Sequence, residues 1–379
     1  MDRPNARRRA YELAFESDSE EEYVVRRPRW IKERANDFDD LDEIDFVTGY
    51  RLSKRTTLSV LETIEDELEF PTDKNDCVAP INQLLCALRF YATGCYQSVS
   101  GDLSGFSTST SHRIVHRVSC AIAAKRGDFV VFPKTQEEIK RAQLKFYDIA
   151  RFPRVVGAID CTHIRFGKCP DSANGEVFRN RKNYFSLNVQ AVCNADLEIT
   201  DIVVRWPGST HDSYIFNNSR LKRMFEEGRY GNAVLVGDSG YACKNYMMTP
   251  LDVCNTQPEH LYNESQIRTR NPVERMFGVW KRRFPAMALG LRLSLENSVP
   301  VIVATAVLHN IAQQSREELP PDDQELVLPA PWETLIAEGN MGMPYVPAGG
   351  PQRENVNFLA RQSLVTNHFT RLAQLAADY

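Results

Sequence analysis

The amino-acid sequence predicts a layered α/β domain that is preceded by a helical region. Up to about residue 150, apolar residues recur at the spacing of helices, and from Arg154 onward they recur at the spacing of strands. Three strand patterns are followed by a helix, a further strand and two more helices. Strands that alternate with helices in this way are typical of a sheet covered by helices.

The first 70 residues are predicted to be a charged arm. The basic stretch "NARRRA" precedes the acidic stretch "ESDSEEE", and residues 1–25 contain few apolar groups to bury, so we expect disorder there. A helix is expected near residues 54–69, because apolar side chains recur at helical spacing from Leu58 to Leu68 and Pro71 follows.

Residues 71–150 are predicted to form a helical region of the helix-turn-helix type. The stretch "PINQLLCALRFYATG" begins with Pro80, which fits a first helical turn, and Gly94 fits just past the end. A short segment with a turn leads to "STSTSHRIVHRVSCAIAA", which opens with Ser and Thr caps. Arg113 and Arg117 lie on its polar face and are candidates for DNA contacts. A helical hairpin that never touches DNA has the same pattern, and this alternative stays open.

Residues 151–312 are predicted to form the α/β domain. Its strands are expected in "RVVGAID", "YFSLNVQAV", "ITDIVVRW" and "NAVLVGDSGY". Its helices are expected in "HDSYIFNNSRLKRMFEEG", "NPVERMFGVWKRRF" and "VPVIVATAVLHNIA", the last of which should pack His309 and Asn310 against the sheet. Residues 313–379 turn acidic and rich in Pro and Gly, with one late helix predicted in "VNFLARQSLVTNHFTRLAQLAADY".

Composition argues against several classes of protein. No apolar run reaches the roughly 18 residues of a membrane span, and the first ten residues lack the apolar core of a signal peptide, so we expect an intracellular protein without membrane association. Nine cysteines occur without a Cys-x-x-Cys pair, which argues against a zinc ribbon. The absence of a Gly-rich Walker loop argues against nucleotide hydrolysis.

The charge distribution indicates a basic middle between acidic flanks. The net charge is −4, but residues 111–300 contain 28 Lys and Arg against 19 Asp and Glu, whereas the rest contains 18 against 31. This pattern is typical of a core that binds a polyanion and equally of an uneven solvated surface.

Three acidic residues form a candidate metal site. Asp160 and Asp238 each end a hydrophobic strand pattern, so neighbouring strands would bring both carboxylates to one edge of the sheet. Like charges repel at such short range unless a cation lies between them, and oxygen ligands favour Mg²⁺ or Mn²⁺. Glu274 follows Asp238 after 35 intervening residues, on a helix placed to supply the third carboxylate.

Each of these acids also has a structural explanation. An Asp at the end of a strand often caps a turn. If Asn271 is an N-cap and Pro272 the first helical residue, Glu274 completes a capping box instead of a metal site. Glu264 and Asp212 are then the alternatives for the third acid.

Six blocks of residues follow one another between about Arg154 and Ala312. They are "GAIDCTHI", "RNRKNYFSLNVQAVC", "WPGSTHDSYIF", "VLVGDSGYACKNYMMTPL", "RTRNPVERMFGVWKRRF" and "VLHNIA". Together they resemble the PIF/Harbinger family of DDE transposases, including its domesticated nuclease relatives. Two positions depart from that family's pattern, because Asn183 stands where Gly is common and Tyr214 stands where Arg is common.

The resemblance implies an RNase H-like fold and a metal-dependent reaction on DNA. It implies that Asp160, Asp238 and Glu274 are the catalytic, metal-binding triad, which would cleave phosphodiester bonds with two ions of Mg²⁺ or Mn²⁺ and share Asp160 between them. His163, His211 and Asp212 are expected beside this triad. The candidates for DNA contact are the basic residues Arg113, Arg117, Arg179, Arg181, Lys182, Arg268, Arg270, Arg275, Lys281, Arg282 and Arg283. Ordinary surface charge of helices is the alternative, and we expect contact only for a subset of them.

The main functional prediction is therefore a DNA endonuclease or transposase in the nucleus, with a cytoplasmic pool. Resemblance to the family also implies a separate Myb-like accessory protein that aids DNA binding. The alternative is a domesticated DNA-binding protein that no longer cleaves; an RNase H-like exonuclease is a second alternative, against which the helix-turn-helix pattern argues. The sequence leaves the target site and a homo-oligomeric state open.

Overall fold

A mixed sheet lies at the centre of the part of the chain that the computed structural model describes, residues 36–70, 77–94, 105, 107–170, 174–319 and 358–377. Its strands are β1 (Val155–Arg165), β2 (Ser186–Cys193), β3 (Ile199–Pro207), β4 (Val234–Val236) and β5 (Met247–Met248). The strand order is β3-β2-β1-β4-β5, in which β1 runs antiparallel to β2 and parallel to β4. The predicted disorder at residues 1–25 lies outside the described residues.

Helices precede, interrupt and follow the sheet. Those before it are α1 (Asp37–Asp40), α2 (Glu43–Tyr50), α3 (Lys54–Leu68), α4 (Pro80–Thr93), α5 (Thr108–Ala124), α6 (Arg126–Phe129) and α7 (Gln136–Ala150). Between β3 and β4 lie α8 (Asp212–Asn217) and α9 (Arg220–Glu226). After β5 come α10 (Gln257–Arg283), α11 (Ala286–Leu289) and α12 (Leu295–Gln314). Near the end of the chain are α13 (Leu359–Ser363), a π-helical turn (Leu364–Phe369) and α14 (Thr370–Ala377).

The predicted helices of the helical region are present, with the expected signals at their ends. Ser53 and Ser107 are the N-caps of α3 and α5, where their side-chain oxygens accept backbone N–H groups that lack a helical partner. Helix α4 begins at Pro80 and ends at Thr93, and the following Gly94 adopts the left-handed conformation that costs glycine little. Most of the short segment predicted between α4 and α5 lies outside the described residues.

One hydrophobic core joins these helices to the sheet. Helix α12 lies within it and packs against α5 and β3. By length and composition α12 also fits a membrane span, but 67% of the apolar stretch is buried inside the protein, so packing accounts for its apolar character. The mixed sheet flanked by helices, with a helical region ahead of it, confirms the predicted fold class.

A buried amide fastens α12 to the outer strand β3. The side-chain oxygen of Asn310 accepts a hydrogen bond from Ile199 N at 2.7 Å, and its Nδ2 donates to Ile199 O at 2.7 Å and to Phe129 O at 2.8 Å. The neighbouring His309 bonds through Nε2 to Leu197 O at 2.8 Å. Both residues pack against the sheet, as the sequence predicted, and we call them the amide anchor.

Three predicted boundaries are wrong. Strand β1 does not end at Asp160, because its pairing with β2 continues to Arg165. The helix predicted after His211 is two helices, since Ser219 accepts from Lys222 N and starts α9. Helix α10 begins at Gln257 rather than near Asn271, so Pro272 lies in the interior of the helix and not at its start.

Candidate active site

The register of the sheet places Asp160 beside Asp238. Ala158 of β1 is paired with Val236 of β4, and each strand reaches its acid two residues later. Gly237 allows the chain after β4 to lie close to β1, because a Cβ at this position would stand 2.9 Å from Tyr241 and 3.2 Å from Ile159. The Asp238 carboxylate then accepts a hydrogen bond from Gly240 N at 3.0 Å, which fixes its direction. The sequence predicted this pairing of acids correctly, although Asp160 lies within its strand.

Helix α10 carries Glu274 to the same place. The helix packs across β1, and its first turn is capped by Glu259, whose carboxylate accepts from Asn255 N and Thr256 N at 2.7 and 2.8 Å. Glu274 lies four turns further on, in the interior of the helix. The capping-box explanation of Glu274 is therefore wrong, because the N–H groups that it would accept from are within a continuous helix.

Arg270 joins Glu274 to Asp160. Its Nη1 donates to Asp160 Oδ2 at 2.8 Å, and its Nη2 donates to Glu274 Oε1. The three side chains are only 17–19% exposed. Arg270 was expected to contact DNA, but here its guanidinium is turned inward, one helical turn from Glu274, where positions i and i+4 face the same side.

A fourth carboxylate, that of Asp212, lies close to the other acids. It stands in the first turn of α8 and accepts from Asn188 Nδ2 at 2.8 Å, while the same nitrogen donates to Thr210 O at 2.8 Å. Asn188 therefore fixes the start of α8 against β2. The resemblance placed Asp212 beside the triad, but the sequence did not single out Asn188 within the predicted strand "YFSLNVQAV". We call Asp160, Asp212, Asp238 and Glu274 the acid edge.

The acid edge has more acidic side chains than basic ones to balance them. Burial raises the pKa of Asp160 to about 7; the Arg270 guanidinium opposes this rise, and the negative charges of Asp238 and Asp212 add to it. Burial also raises the pKa of Asp238, again opposed by Arg270 and increased by Asp212. Among the described residues, Asp212 and Asp238 form no ion pair with Lys or Arg. Among the described residues, Arg270 is thus the one basic side chain that forms an ion pair with any of the four carboxylates.

The donor set of the acid edge fits a divalent cation in type and charge, but its present arrangement does not form a ready site. Carboxylate oxygens are the ligands that Mg²⁺ and Mn²⁺ prefer. Within the described ranges, however, no three His, Cys, Asp or Glu side chains are arranged so that they could hold a metal ion. In this arrangement Arg270 lies between Asp160 and Glu274, and the metal-binding role of the triad stays a prediction.

The two histidines near the acid edge are hydrogen-bonded within the fold. His163 Nδ1 lies 3.1 Å from Ser186 Oγ, and burial lowers the pKa of His163 to about 4, so its ring is neutral at pH 7. His211 precedes α8 and its Nδ1 lies 2.5 Å from Arg181 Nη2.

The basic residues predicted to contact DNA fall into two groups. Those with exposed side chains are Arg113, Arg181, Lys182, Arg268 and Arg275; half-exposed Arg179 pairs with Glu176. Lys281, Arg282 and Arg283 are buried, at 2%, 8% and 1% exposure, because the last turn of α10 passes through the core. Lys281 Nζ donates to His163 O there. These three residues do not lie on a surface that DNA can reach, which corrects the prediction.

Arg117 is also turned into the protein. Its Nε donates to Glu67 O at 3.0 Å and its Nη2 to Glu69 O at 2.8 Å, at the carboxyl end of α3. The guanidinium also stacks 4.2 Å from the centre of the Phe70 ring. Arg113, one turn earlier on α5, keeps an exposed side chain.

Comparison with known proteins places these residues in a family. A family model described as "DDE superfamily endonuclease" matches residues 159–310. "Putative nuclease HARBI1" of Homo sapiens is 31% identical over 277 residues, which cover 72% of this chain and 79% of that protein. "Protein ALP1-like" of Arabidopsis thaliana is 27% identical over 305 residues, covering 75% and 74%. No solved structure matches the chain significantly.

The matched segment begins one residue before Asp160 and ends at Asn310, so it contains the acid edge, the amide anchor and all of the sheet except the first four residues of β1. The similarity extends well outside it, over nearly three quarters of the chain. These findings confirm the resemblance in the sequence. The chain therefore belongs to the Harbinger transposase-derived family and carries a DDE superfamily endonuclease domain.

Proposed function

We propose that the protein is a divalent-metal-dependent DNA endonuclease of the DDE type, with Asp160, Asp238 and Glu274 as its metal ligands. The observation that carries this proposal is the excess of half-buried acidic side chains over basic ones at the acid edge. Four carboxylates with one guanidinium are costly to a fold unless a ligand repays the cost. The endonuclease domain and the relatives support the same reading.

The side chains of the acid edge would bind the cation, and their neighbours would orient them. Asp160 lies within β1, and Asp238 lies two residues beyond the end of the parallel strand β4, so the sheet brings the two acids together. Asn188 holds Asp212 next to them, and the Gly240 N–H holds Asp238. A bound Mg²⁺ or Mn²⁺ supplies Lewis-acid activation of water and charge stabilisation at the phosphate. Orientation by rigid elements is what such chemistry requires of the protein.

DNA would approach over exposed cations beside the acid edge. Arg181 and Lys182 lie close enough to His163 for their charges to lower its pKa, and Arg181 contacts His211 next to Asp212. Arg275 follows Glu274 directly and is exposed. Such side chains contact phosphates and therefore position DNA without reading its sequence. Nuclear localisation with a cytoplasmic pool, and a Myb-like accessory protein, remain parts of this proposal.

The test is cleavage of duplex DNA in Mg²⁺ or Mn²⁺ by the wild type beside Asp160→Asn. Cleavage by the wild type should require the metal, and Asp160→Asn should not cleave the DNA. Asp201→Asn is the matched control, because Asp201 is an Asp of the same sheet that pairs instead with Arg126 at 3.7 Å. DNA binding without metal-dependent cleavage, equal in wild type and Asp160→Asn, would favour the domesticated DNA-binding alternative and overturn the proposal.

A further inference from the structure

Arg270 fills the space between two of the proposed metal ligands. Its guanidinium donates from Nη1 to Asp160 Oδ2 and from Nη2 to Glu274 Oε1, so one planar group spans both carboxylates. Arg270 is only 17% exposed there. Among the described residues it forms no other hydrogen bond or ion pair, so nothing else anchors the guanidinium.

We infer that Arg270 is an internal competitor for the divalent cation: it neutralises Asp160 and Glu274 in the metal-free protein and has to leave them before both can bind a metal. The inference rests on the proposed function, since it takes these carboxylates as the ligands. It assigns Arg270 a role in setting metal affinity, in place of the DNA contact expected from the sequence.

The hydrogen bonds of Asp160 show why Arg270 has to move. The other oxygen of this carboxylate, Oδ1, accepts from the backbone N–H of Cys161 at 2.7 Å. Both oxygens of Asp160 are therefore already engaged, one by a backbone group of β1 and one by a side chain. The backbone donor cannot retreat without breaking the strand, whereas a guanidinium on a flexible stem can swing away. Metal binding at Asp160 would therefore break the hydrogen bond from Arg270 and not the one from Cys161 N.

A second ion pair on α10 provides an internal control. Arg268 pairs with Glu264 at 2.7 Å through the same i, i+4 spacing, but both side chains are more than half exposed. Exposed pairs of this kind contribute little and are screened by salt. The pair of Arg270 differs by its burial and by its second carboxylate, which are the two properties that would make it compete with a cation.

The experiment is calorimetric titration of the full chain with MnCl₂ alone, comparing the wild type with Arg270→Met and Arg268→Met. Removal of the competing charge should make Arg270→Met bind Mn²⁺ at least about tenfold more tightly, since one unit charge at contact distance outweighs a factor of ten even when partly screened. Arg268→Met should stay within about twofold of the wild type. Without metal, Arg270→Met should melt at a lower temperature, and Mn²⁺ should raise its melting temperature more than that of the wild type.

Equal or weaker Mn²⁺ binding by Arg270→Met would overturn the inference, because it would mean that Arg270 supports the site instead of competing for it. If Arg270→Met does not fold, Arg270→Lys decides, since one ammonium cannot span both carboxylates as the planar fork does. Tighter binding by Arg270→Lys supports the inference, and equal or weaker binding overturns it. The proposed function is judged separately by Asp160→Asn cleavage: metal-dependent cleavage with an unchanged affinity in the Arg270 variants would remove only the inference.

Discussion

The amide anchor and the acid edge are both sets of polar side chains in one α/β domain, the first buried and the second half-buried, and they differ in how completely their polar groups are compensated by partners. Asn310 is 1% exposed, and both ends of its amide are hydrogen-bonded to backbone groups of Ile199 and Phe129. Burial lowers the pKa of His309 to about 4, so that residue is neutral as well. The anchor therefore carries no charge that a ligand would need to balance.

The acid edge is the opposite case. Its four carboxylates face one guanidinium, and burial raises the pKa of Asp160 and Asp238. Buried polar groups that are fully bonded stabilise a fold, whereas buried charge without a partner destabilises it. The difference teaches that the amide of Asn310 is satisfied within the chain, although His309 Nδ1 lacks a partner among the described residues, while the acid edge carries charge that the proposed cation would balance.

The largest expected effect comes from Glu274→Gln. Gln keeps the shape and still accepts from Arg270 but lacks the charge that holds a cation, so DNA cleavage should fall on the order of 10²-fold or more. Metal-free stability should change by no more than about 1 kcal/mol, because lost attraction to Arg270 is offset by reduced repulsion among the acids. Melting curves with and without Mg²⁺, beside a cleavage assay, measure both effects.

Equal metal-induced shifts and equal cleavage in wild type and Glu274→Gln would remove Glu274 from the site. Asp212 would then be the first candidate for the third acid, since Asn188 already holds it at the acid edge. Glu264 would not be, because it is exposed and paired with Arg268.

The next largest effect is expected from Asn310→Ala, which should lower stability and leave cleavage unchanged, the opposite of Glu274→Gln. The substitution removes three hydrogen bonds and leaves the backbone groups of Ile199 and Phe129 without these partners, so the free energy of unfolding should fall by about 3 kcal/mol. Urea denaturation measures the loss through the midpoint at constant slope. Cleavage per folded molecule should stay at the wild-type level; a loss of cleavage in fully folded Asn310→Ala would contradict the separation of the two sets.

The sequence could predict which acids meet at the sheet, but not the ends of the elements or the directions of the side chains on α10. Asp160 and Asp238 were predictable because hydrophobic strand patterns lead into both, and parallel neighbours bring such acids together. The true ends of the elements were not, because Pro272 gives the same signal at a helix start and within a helix. The direction of Arg270 could not be read from the chain either, since it depends on how α10 rotates against β1. Burial of Lys281 and Arg282 has the same origin.

A smaller effect is expected from the pH dependence of stability at Lys281. Burial lowers the pKa of this Lys to about 7, well below its ordinary value of 10.5. Between these values the unfolded chain holds the proton and the folded chain does not, so the stability contributed by this position rises with pH. Lys281→Met should remove that rise, so the difference between the two proteins in unfolding free energy should change by about 2 kcal/mol from pH 6.5 to 8.5.

The comparison for Lys281 is made as a difference because other groups, Asp160 among them, titrate in part of the same window. Denaturation of both proteins at the two pH values measures it. A constant difference across that range would show that Lys281 stays protonated in the folded protein, and its bond to His163 O would then be charge-assisted.

The smallest effect separates two arginines of α5 that the sequence treated alike. Arg117 donates to the backbone oxygens of Glu67 and Glu69, whereas exposed Arg113 is available to a phosphate. If α5 contacts DNA, Arg113→Ala should reduce the salt dependence of DNA binding by about one phosphate contact, which flattens the slope of log K against log[salt] by about 0.9. Arg117→Ala should instead lower the free energy of unfolding by about 1 kcal/mol and leave that slope unchanged.

Filter binding across a salt series, with urea denaturation of the same proteins, gives both readouts. A slope that changes only in Arg117→Ala would mean that this arginine leaves α3 to reach DNA, and an unchanged slope in both would make α5 a packing helix only.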